Sequence, residues 1–371
     1  MKKKILFFIT TLNGGGAERL LVDLVNHMDA EKFDITVQTF YDVGIYRNQL
    51  NQDIRYKTIV SLENNILRRL QGRFFWEFVS PKYIYKKYIE DSYDYVVAFL
   101  EGIATKLISP AGRDFHSIAW VHSGLFHNFW TKHMYRSLKE QKKAYQSYEK
   151  IICVSNSTKK EFIQRFGNYA ALDIKYNFVD KTAVQAKAEK NVEGVLYKKS
   201  FRMITLGRLT YQKGYDRLLS VIRDLIHEGL ECELWIFGKG ECQKKYERYI
   251  LQNGLSSYVK LWGFQKNPYK YMKYCDLFVC SSRCEGYNLA IAEAMALGMP
   301  ILSTYCTGPD ELLDYGRYGM LVENNEKGLY SGIKAFYNST KLLHRYSHRS
   351  KERMEFFDMH YRIKEIEKLF E

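Results

Sequence analysis

A chain of 371 residues with 46% hydrophobic and 26% charged residues is long enough for roughly two domains with sizeable cores, which excludes a disordered polymer. Its formal charge of +14 calls for something anionic, whether nucleic acid, phosphorylated ligand or membrane surface, and charge alone does not choose among them. Residues 1–180 hold 26 Lys and Arg against 19 Asp and Glu, half of the excess, so the charge is not a basic tail.

No apolar run approaches the roughly 18 residues that cross a bilayer. The start, "MKKKILFFITTLNGGG", has a basic and an apolar part, but Thr10-Thr11 interrupts it and no small-residue cleavage site follows, so it reads as a first strand rather than a leader. Seven cysteines, all at or beyond Cys153, form no Cys-x-x-Cys pair, which points to a reducing compartment. Cys275, Cys280 and Cys284 lie close in sequence without a neighbouring histidine and read as core cysteines rather than zinc ligands.

Strand and helix patterns alternate along the chain, the mark of a parallel α/β architecture. Ile5–Ile9 is the first strand, followed by Asn13-Gly14-Gly15-Gly16 and a helix with Leu20, Leu21, Leu24, Val25 and Met28 on one face. Further strands are expected at Ile35–Phe40, Tyr95–Leu100, Ser117–Val121 and Ile151–Val154. The polar, lysine-rich stretch Asn177–Ser200 reads as an inter-domain linker. A second series follows: a strand at Phe201–Leu206, the loop "GRLTYQKG", a helix faced by Tyr215, Leu218, Leu219, Ile222, Leu225 and Ile226, then strands at Glu233–Phe237, Val259–Trp262, Leu277–Cys280 and Ile301–Ser303.

Between the last two strands stands "SSRCEGYNLAIAEAMALGMP", residues 281–300. Asn288 can cap a helix over Leu289–Leu297, which Gly298 and Pro300 stop. The loop holding Glu285 then lies at the carboxyl end of a strand, where open α/β sheets bind ligands, and the helix N-terminus offers N–H groups to a phosphate. Helical side chains lean toward the N-terminus, so Glu293 can reach a ligand seated there; a glutamate on a solvated face is the competing reading. Arg208 and Lys213 supply cations for phosphate oxygens, or are solvated loop charges. The glycines at 14–16 and 238–240 spell neither a dinucleotide fingerprint nor a phosphate-binding P-loop, and His122, His127 and His133 lack metal-ligand spacing.

"GGGAERLLVDLV", "VSNSTKKEF", "GRLTYQKGYDRLL", "GKGE" and "SSRCEGYNLAIAEAMALGMPILST", with "GPDELL" after it, resemble the retaining glycosyltransferases of family 4, in order over nearly the whole chain. The Glu285-x7-Glu293 element is the most specific part. The resemblance implies a GT-B fold, two doubly wound Rossmann-like domains facing a central cleft. Residues 1–180 would form the acceptor-binding domain, with a C-terminal helix at about 356–371 packing back on it, and residues 181–355 the donor-binding domain.

Carried over by motif, Arg208 and Lys213 hold the diphosphate of a nucleotide-sugar, Glu293 accepts from the ribose hydroxyls, and Glu285 with Gly286, Tyr287, Asn288 and Leu289 faces the donor sugar and its phosphates. Gly15 and Gly16 let backbone approach the phosphate from the other domain, and His122 matches the family's histidine near the transferred sugar. Arg208, Lys213, Glu285 and His122 are thus the expected catalytic residues. No enzymic nucleophile stands out, and without Asp-x-Asp neither a metal nor another cofactor is expected. Many relatives have Phe where Tyr287 stands, which leaves donor choice open.

The leading expectation is transfer of a hexose or N-acetylhexosamine from a UDP-sugar to a lipid-linked acceptor in surface-polysaccharide assembly, including capsule. A GT-B epimerase or phosphorylase is the alternative, and a nucleic-acid-binding protein a weaker one because the charge is diffuse. Residues 66–88 carry Arg68, Arg69, Arg73, Lys82, Lys86 and Lys87 among Phe74, Phe75, Trp76 and Phe78; residues 128–150 set Phe129 and Trp130 ahead of Lys132, Arg136, Lys139, Lys142, Lys143 and Lys150. Basic residues beside aromatic rings suit an anionic headgroup layer, so a cytoplasmic protein peripheral on the inner face of the cell membrane is expected; aromatics in the core beneath a solvated lysine face are the alternative.

Overall fold

The alternating apolar and amphipathic segments form two parallel sheets, one in each of two compact units. The structure is a computed structural model and describes residues 1–61, 77–89, 92–109, 115–126, 129–169, 171–192 and 201–371. Unit one comprises Met1–Asn177 with His360–Glu371, unit two Phe178–Met359.

Unit one contains β1 (Lys3–Ile9), β2 (Phe33–Tyr41), β3 (Arg55–Val60), β4 (Tyr95–Ala98), β5 (His116–Val121), β6 (Lys150–Cys153) and β7 (Leu172–Ile174), in the sheet order β3-β2-β1-β4-β5-β6-β7. Ile5 to Ile9 are all fully buried, so neighbouring residues on opposite faces of β1 both sit in core. That two-sided burial explains continuous apolar runs in place of alternation. The C-terminal residues add to this core: Phe370 is fully buried, edge-on to Phe7, Phe33 and Tyr95, and Glu367 accepts from the Asp29 N–H at 2.7 Å.

Unit two contains β8 (Phe201–Leu206), β9 (Cys232–Phe237), β10 (Val259–Gly263), β11 (Leu277–Cys280), β12 (Ile301–Thr304) and β13 (Met320–Val322), in the order β10-β9-β8-β11-β12-β13. The order reverses between β8 and β11, as it does between β1 and β4 in unit one. Loops leaving the carboxyl ends of such strand pairs frame a crevice.

The structure corrects the linker. Lys181–Ala188 is a helix of unit two, capped by Asp180, whose carboxylate accepts from the Ala183 N–H at 2.8 Å. Val184 and Ala188, one turn apart, are buried, and Gln185 donates to the Ala296 carbonyl at 3.1 Å. Two small apolar residues at i and i+4 dock this helix, while lysines on its other faces make the sequence look like a tether.

β3, β7 and β13 also went unforeseen. All three are sheet edges with mostly half-buried residues, so they lack the apolar run that marks an inner strand. Among the described residues no helix is long and apolar enough to cross a membrane.

Candidate active site

The loop after β8 and the loop after β11 meet at the reversal of strand order in unit two. Lys213 Nζ lies 2.6 Å from Glu285 Oε1, with side chains only 17% and 8% exposed. The same carboxylate oxygen accepts from Ser282 Oγ at 2.5 Å and from Asn288 Nδ2 at 3.3 Å. Burial opposes charge on Lys213, but the facing Glu285 carboxylate outweighs it and raises the ammonium's pKa above its usual value. A fixed cation therefore stands at the carboxyl end of the sheet across the physiological pH range.

Backbone geometry brings the two loops together. Gly214 has φ +66°, and a Cβ there would stand 2.1 Å from the Ser281 carbonyl oxygen, so only glycine fits. Ser281 Oγ donates to the Lys213 carbonyl at 2.8 Å, and Arg217 donates to the Ser281 carbonyl at 2.7 Å. Arg283 forms a two-pronged pair with Asp216, both contacts 2.8 Å, and its guanidinium covers the Tyr211 ring at 3.7 Å. Asp216, in the first turn of the helix Tyr215–His227, and Arg283, in the loop after β11, are 67 positions apart, and no local sequence pattern pairs them.

The helix Leu289–Ala296 starts behind Glu285. Asn288 adopts φ +67°, unusual for a residue with a side chain, and its amide compensates locally: the oxygen accepts from the Ile291 N–H at 3.4 Å, and the nitrogen reaches Glu285. Gly286 is covered by Gly308, where a Cβ would meet the Gly286 carbonyl at 2.5 Å, and Tyr287, 4% exposed, packs edge-on against Phe357. Glu293 is buried in this helix and accepts from the Tyr269 hydroxyl at 2.8 Å. It does not lie on a solvated face, and Tyr269 is a partner no motif announced. Arg208 is exposed on the loop after β8, and Leu289 is half-buried at the first turn of the helix.

Gly15, Gly16 and His122 belong to unit one. Gly15 precedes the helix Gly16–His27, at the carboxyl end of β1. His122 follows β5, its ring 4.8 Å from that of Phe99 and 6.4 Å from that of Trp120. Both ring nitrogens are buried without a hydrogen-bond partner, and burial pushes the ring's pKa down to about 3; the Phe99 backbone pulls weakly the other way without reaching hydrogen-bond geometry. The imidazole is therefore neutral in ordinary buffers.

Beside it, and absent from every motif, is Glu101. This residue at the carboxyl end of β4 is 1% exposed and accepts through Oε1 from the His122 N–H at 2.8 Å, the Ser123 N–H at 2.7 Å and Ser123 Oγ at 2.9 Å. An acid directly after a strand, followed by a glycine, was the only signal available. Of the histidine trio, His133 is exposed and His127 lies outside the described residues, among which no group of His, Cys, Asp or Glu is arranged to hold a metal ion. None of the seven cysteines, all among the described residues, is in a disulfide.

Comparison with known proteins decides what these loops belong to. Residues 14–182 match the model for Glycosyltransferase Family 4, and residues 186–353 that for Glycosyl transferases group 1. The chain is a family 4 glycosyltransferase. The N-acetylgalactosamine-N,N'-diacetylbacillosaminyl-diphospho-undecaprenol 4-alpha-N-acetylgalactosaminyltransferase of Campylobacter jejuni is 26% identical over 96% of both chains. An uncharacterized glycosyltransferase of Methanocaldococcus jannaschii is 37% identical over 34% of this chain and 35% of its own. Among solved structures, Anabaena HepE in complex with UDP-glucose superposes with a TM-score of 0.78 at 20% identity, covering 99% of this chain and 98% of that one. The glycosyltransferase thus has the GT-B-like architecture of two parallel α/β sheets.

Proposed function

We propose that this glycosyltransferase moves a hexosyl or N-acetylhexosaminyl unit, with retention of configuration, from a UDP-sugar to a lipid-linked saccharide during assembly of a cell-surface polysaccharide. The observation that carries the reading is the Lys213–Glu285 pair at the carboxyl ends of β8 and β11, with Glu293 buried in the helix behind it. The Campylobacter relative, named for a diphospho-undecaprenol acceptor, supports the lipid-linked acceptor, and HepE supports UDP.

In this reading the glycosyl carbon leaves diphosphate through an oxocarbenium-like state, and the largest catalytic help is stabilisation of charge growing on the leaving group. Lys213, held rigidly by Glu285, and the exposed Arg208 supply it, aided by the N–H groups opening the helix Leu289–Ala296. Glu285 Oε1 is already engaged by three donors, which suits orientation of Lys213 and of the donor sugar rather than covalent attack. The departing phosphate then takes the acceptor's proton on the same face. Glu293 anchors the ribose diol, Gly15 and Gly16 give backbone access to phosphate, and neutral His122 offers a hydrogen bond to the transferred sugar. Unit one selects the acceptor, and the reaction needs no metal.

Membrane attachment is part of the same proposal. Phe78, Tyr83 and Leu138 are exposed large apolar residues of unit one, and Lys82, Lys86, Lys87, Lys139 and Lys143 are exposed beside them. Phe129 and Trp130 do not join that face: they pack partly buried on the core, and Trp130 donates to Ser123 Oγ at 3.0 Å. Arg68, Arg69, Arg73, Phe74, Phe75 and Trp76 lie outside the described residues. The protein then works on the cytoplasmic face of the cell membrane.

The test is UDP release from UDP-sugars by the wild type and Arg208→Ala, with and without EDTA. Arg208→Ala should lower kcat more than it raises KM, because its contact strengthens as the leaving group gains charge. A rise in KM alone, or activity abolished by EDTA and restored by manganese, contradicts the mechanism.

A further inference from the structure

We propose that Glu101 is a positioning residue for His122, fixing the backbone from which the imidazole meets the sugar. This rests on the reading that His122 serves the transferase reaction.

A carboxylate taken wholly out of water is costly unless hydrogen bonds replace the lost hydration. Glu101 concentrates its replacement on one oxygen. Oε1 receives three donors, two of them the consecutive backbone N–H groups of His122 and Ser123. Those two bonds tie the residues leaving β5 to the end of β4 and leave the His122 Cα little freedom. A second line reaches the same point, since Trp130 Nε1 donates to Ser123 Oγ, which in turn donates to Glu101 Oε1. Phe99 and Trp120 confine the imidazole plane, as their ring distances show. Backbone and ring face are thus fixed by different groups.

The unsatisfied atoms give this arrangement a purpose beyond loop tethering. Glu101 Oε2, both His122 ring nitrogens and Trp120 Nε1 are buried without hydrogen-bond partners. Buried polar atoms left unpaired are few in folded proteins, and four around one strand pair mark a place built for something other than stability. The strands concerned, β4 and β5, end at the carboxyl edge of the sheet next to its reversal of order. Burial raises the pKa of the Glu101 carboxyl, and the hydrogen bonds from the Ser123 and His122 groups oppose that shift. In either protonation state Oε1 accepts from the two peptide groups that carry the histidine.

Glu101→Ala should lower kcat for UDP release about 10- to 100-fold, the range expected when a reacting group loses its alignment. UDP affinity measured by calorimetry should stay within about twofold, because no UDP contact is assigned to Glu101 or His122, and Glu101→Gln should recover most of the activity, since its amide oxygen can accept the same bonds. His122→Phe keeps the ring packing but removes the nitrogens. On that background Glu101→Ala should cost almost nothing further. Losses that multiply independently, full turnover in Glu101→Ala, or a parallel loss of UDP affinity would overturn the proposal. Should Glu101→Ala not fold, Glu101→Asp, which withdraws the carboxylate by one methylene, enters the same cycle with the same expectation. If His122→Phe retains full turnover, the reading of His122 fails. The role of Glu101 is then judged by the imidazole signals of 15N-histidine-labelled protein, where a single His122 tautomer in the wild type and Glu101→Gln should broaden or shift in Glu101→Ala. Unchanged signals would refute it without any turnover being needed.

Discussion

Lys213 Nζ and Glu285 Oε1 stand 2.6 Å apart, although 72 positions separate them in the chain. Each was expected to face the donor, one at the diphosphate and the other at the sugar. Their pairing makes them one unit, in which the acid holds the base at a fixed point and keeps it charged. Removing the lysine leaves a buried carboxylate without its counter-ion, which costs about 3 kcal/mol or more. Lys213→Ala should therefore lower both turnover and the urea midpoint, whereas Lys213→Ala with Glu285→Gln should recover stability but not turnover. Equal urea midpoints for the wild type and Lys213→Ala would show that the pair contributes nothing to folding.

Glu293→Gln should weaken UDP binding by about tenfold or more, since a carboxylate accepting from a ribose diol forms charge-assisted bonds of roughly 1.5–3 kcal/mol. Tyr269→Phe removes the phenol now aligning Glu293 and should have a smaller effect in the same direction. Calorimetry with UDP checks both. Undiminished affinity in Glu293→Gln would remove the ribose from Glu293's role.

How much of this was legible depends on whether the cause was local. The helix Leu289–Ala296 and its Asn288 cap could be read from adjacent residues, and so could β1, whose five consecutive apolar residues are all buried. The pairing of Lys213 with Glu285 could not, because it arises from β8 and β11 being neighbours in a sheet whose order departs from chain order. Glu101 was invisible for a related reason. Its partners are backbone N–H groups 21 and 22 positions away, which every sequence possesses and only a fold can aim. The helix Lys181–Ala188 was obscured by its lysines, as only Val184 and Ala188 are buried.

Burial sets the pH response of His122. Its pKa falls from 6.5 to about 3 on folding, so between these values the unfolded chain binds more protons than the native one, and stability is lost as pH falls below about 6.5. By pH 5 the loss from this residue is about 2 kcal/mol relative to neutral pH. Thermal melts from pH 7 to 5 should show it in the wild type and not in His122→Phe. A histidine that gives no such difference titrates alike in the folded and unfolded chains, and the buried, permanently neutral imidazole assigned to His122 is then wrong.

Attachment to an anionic bilayer should be electrostatic and reversible. The protein should co-float with phosphatidylglycerol vesicles at low salt and be largely released at high salt, as expected when each cation near the headgroups contributes on the order of 1 kcal/mol. Charge reversal at Lys82, Lys86, Lys87, Lys139 and Lys143 should abolish flotation while leaving UDP affinity intact. Flotation unaffected by either treatment would mean that this face does not meet the membrane.

The most direct test of the transferase reading is mass spectrometry of a lipid-diphosphate-linked saccharide incubated with the purified protein and each of a panel of nucleotide-sugars. With one UDP-sugar the acceptor should gain a single hexosyl or N-acetylhexosaminyl unit as UDP appears in equal amount, and Lys213→Ala should suppress both. An acceptor left unchanged while the UDP-sugar is epimerised, or one extended equally well by Lys213→Ala, would contradict it.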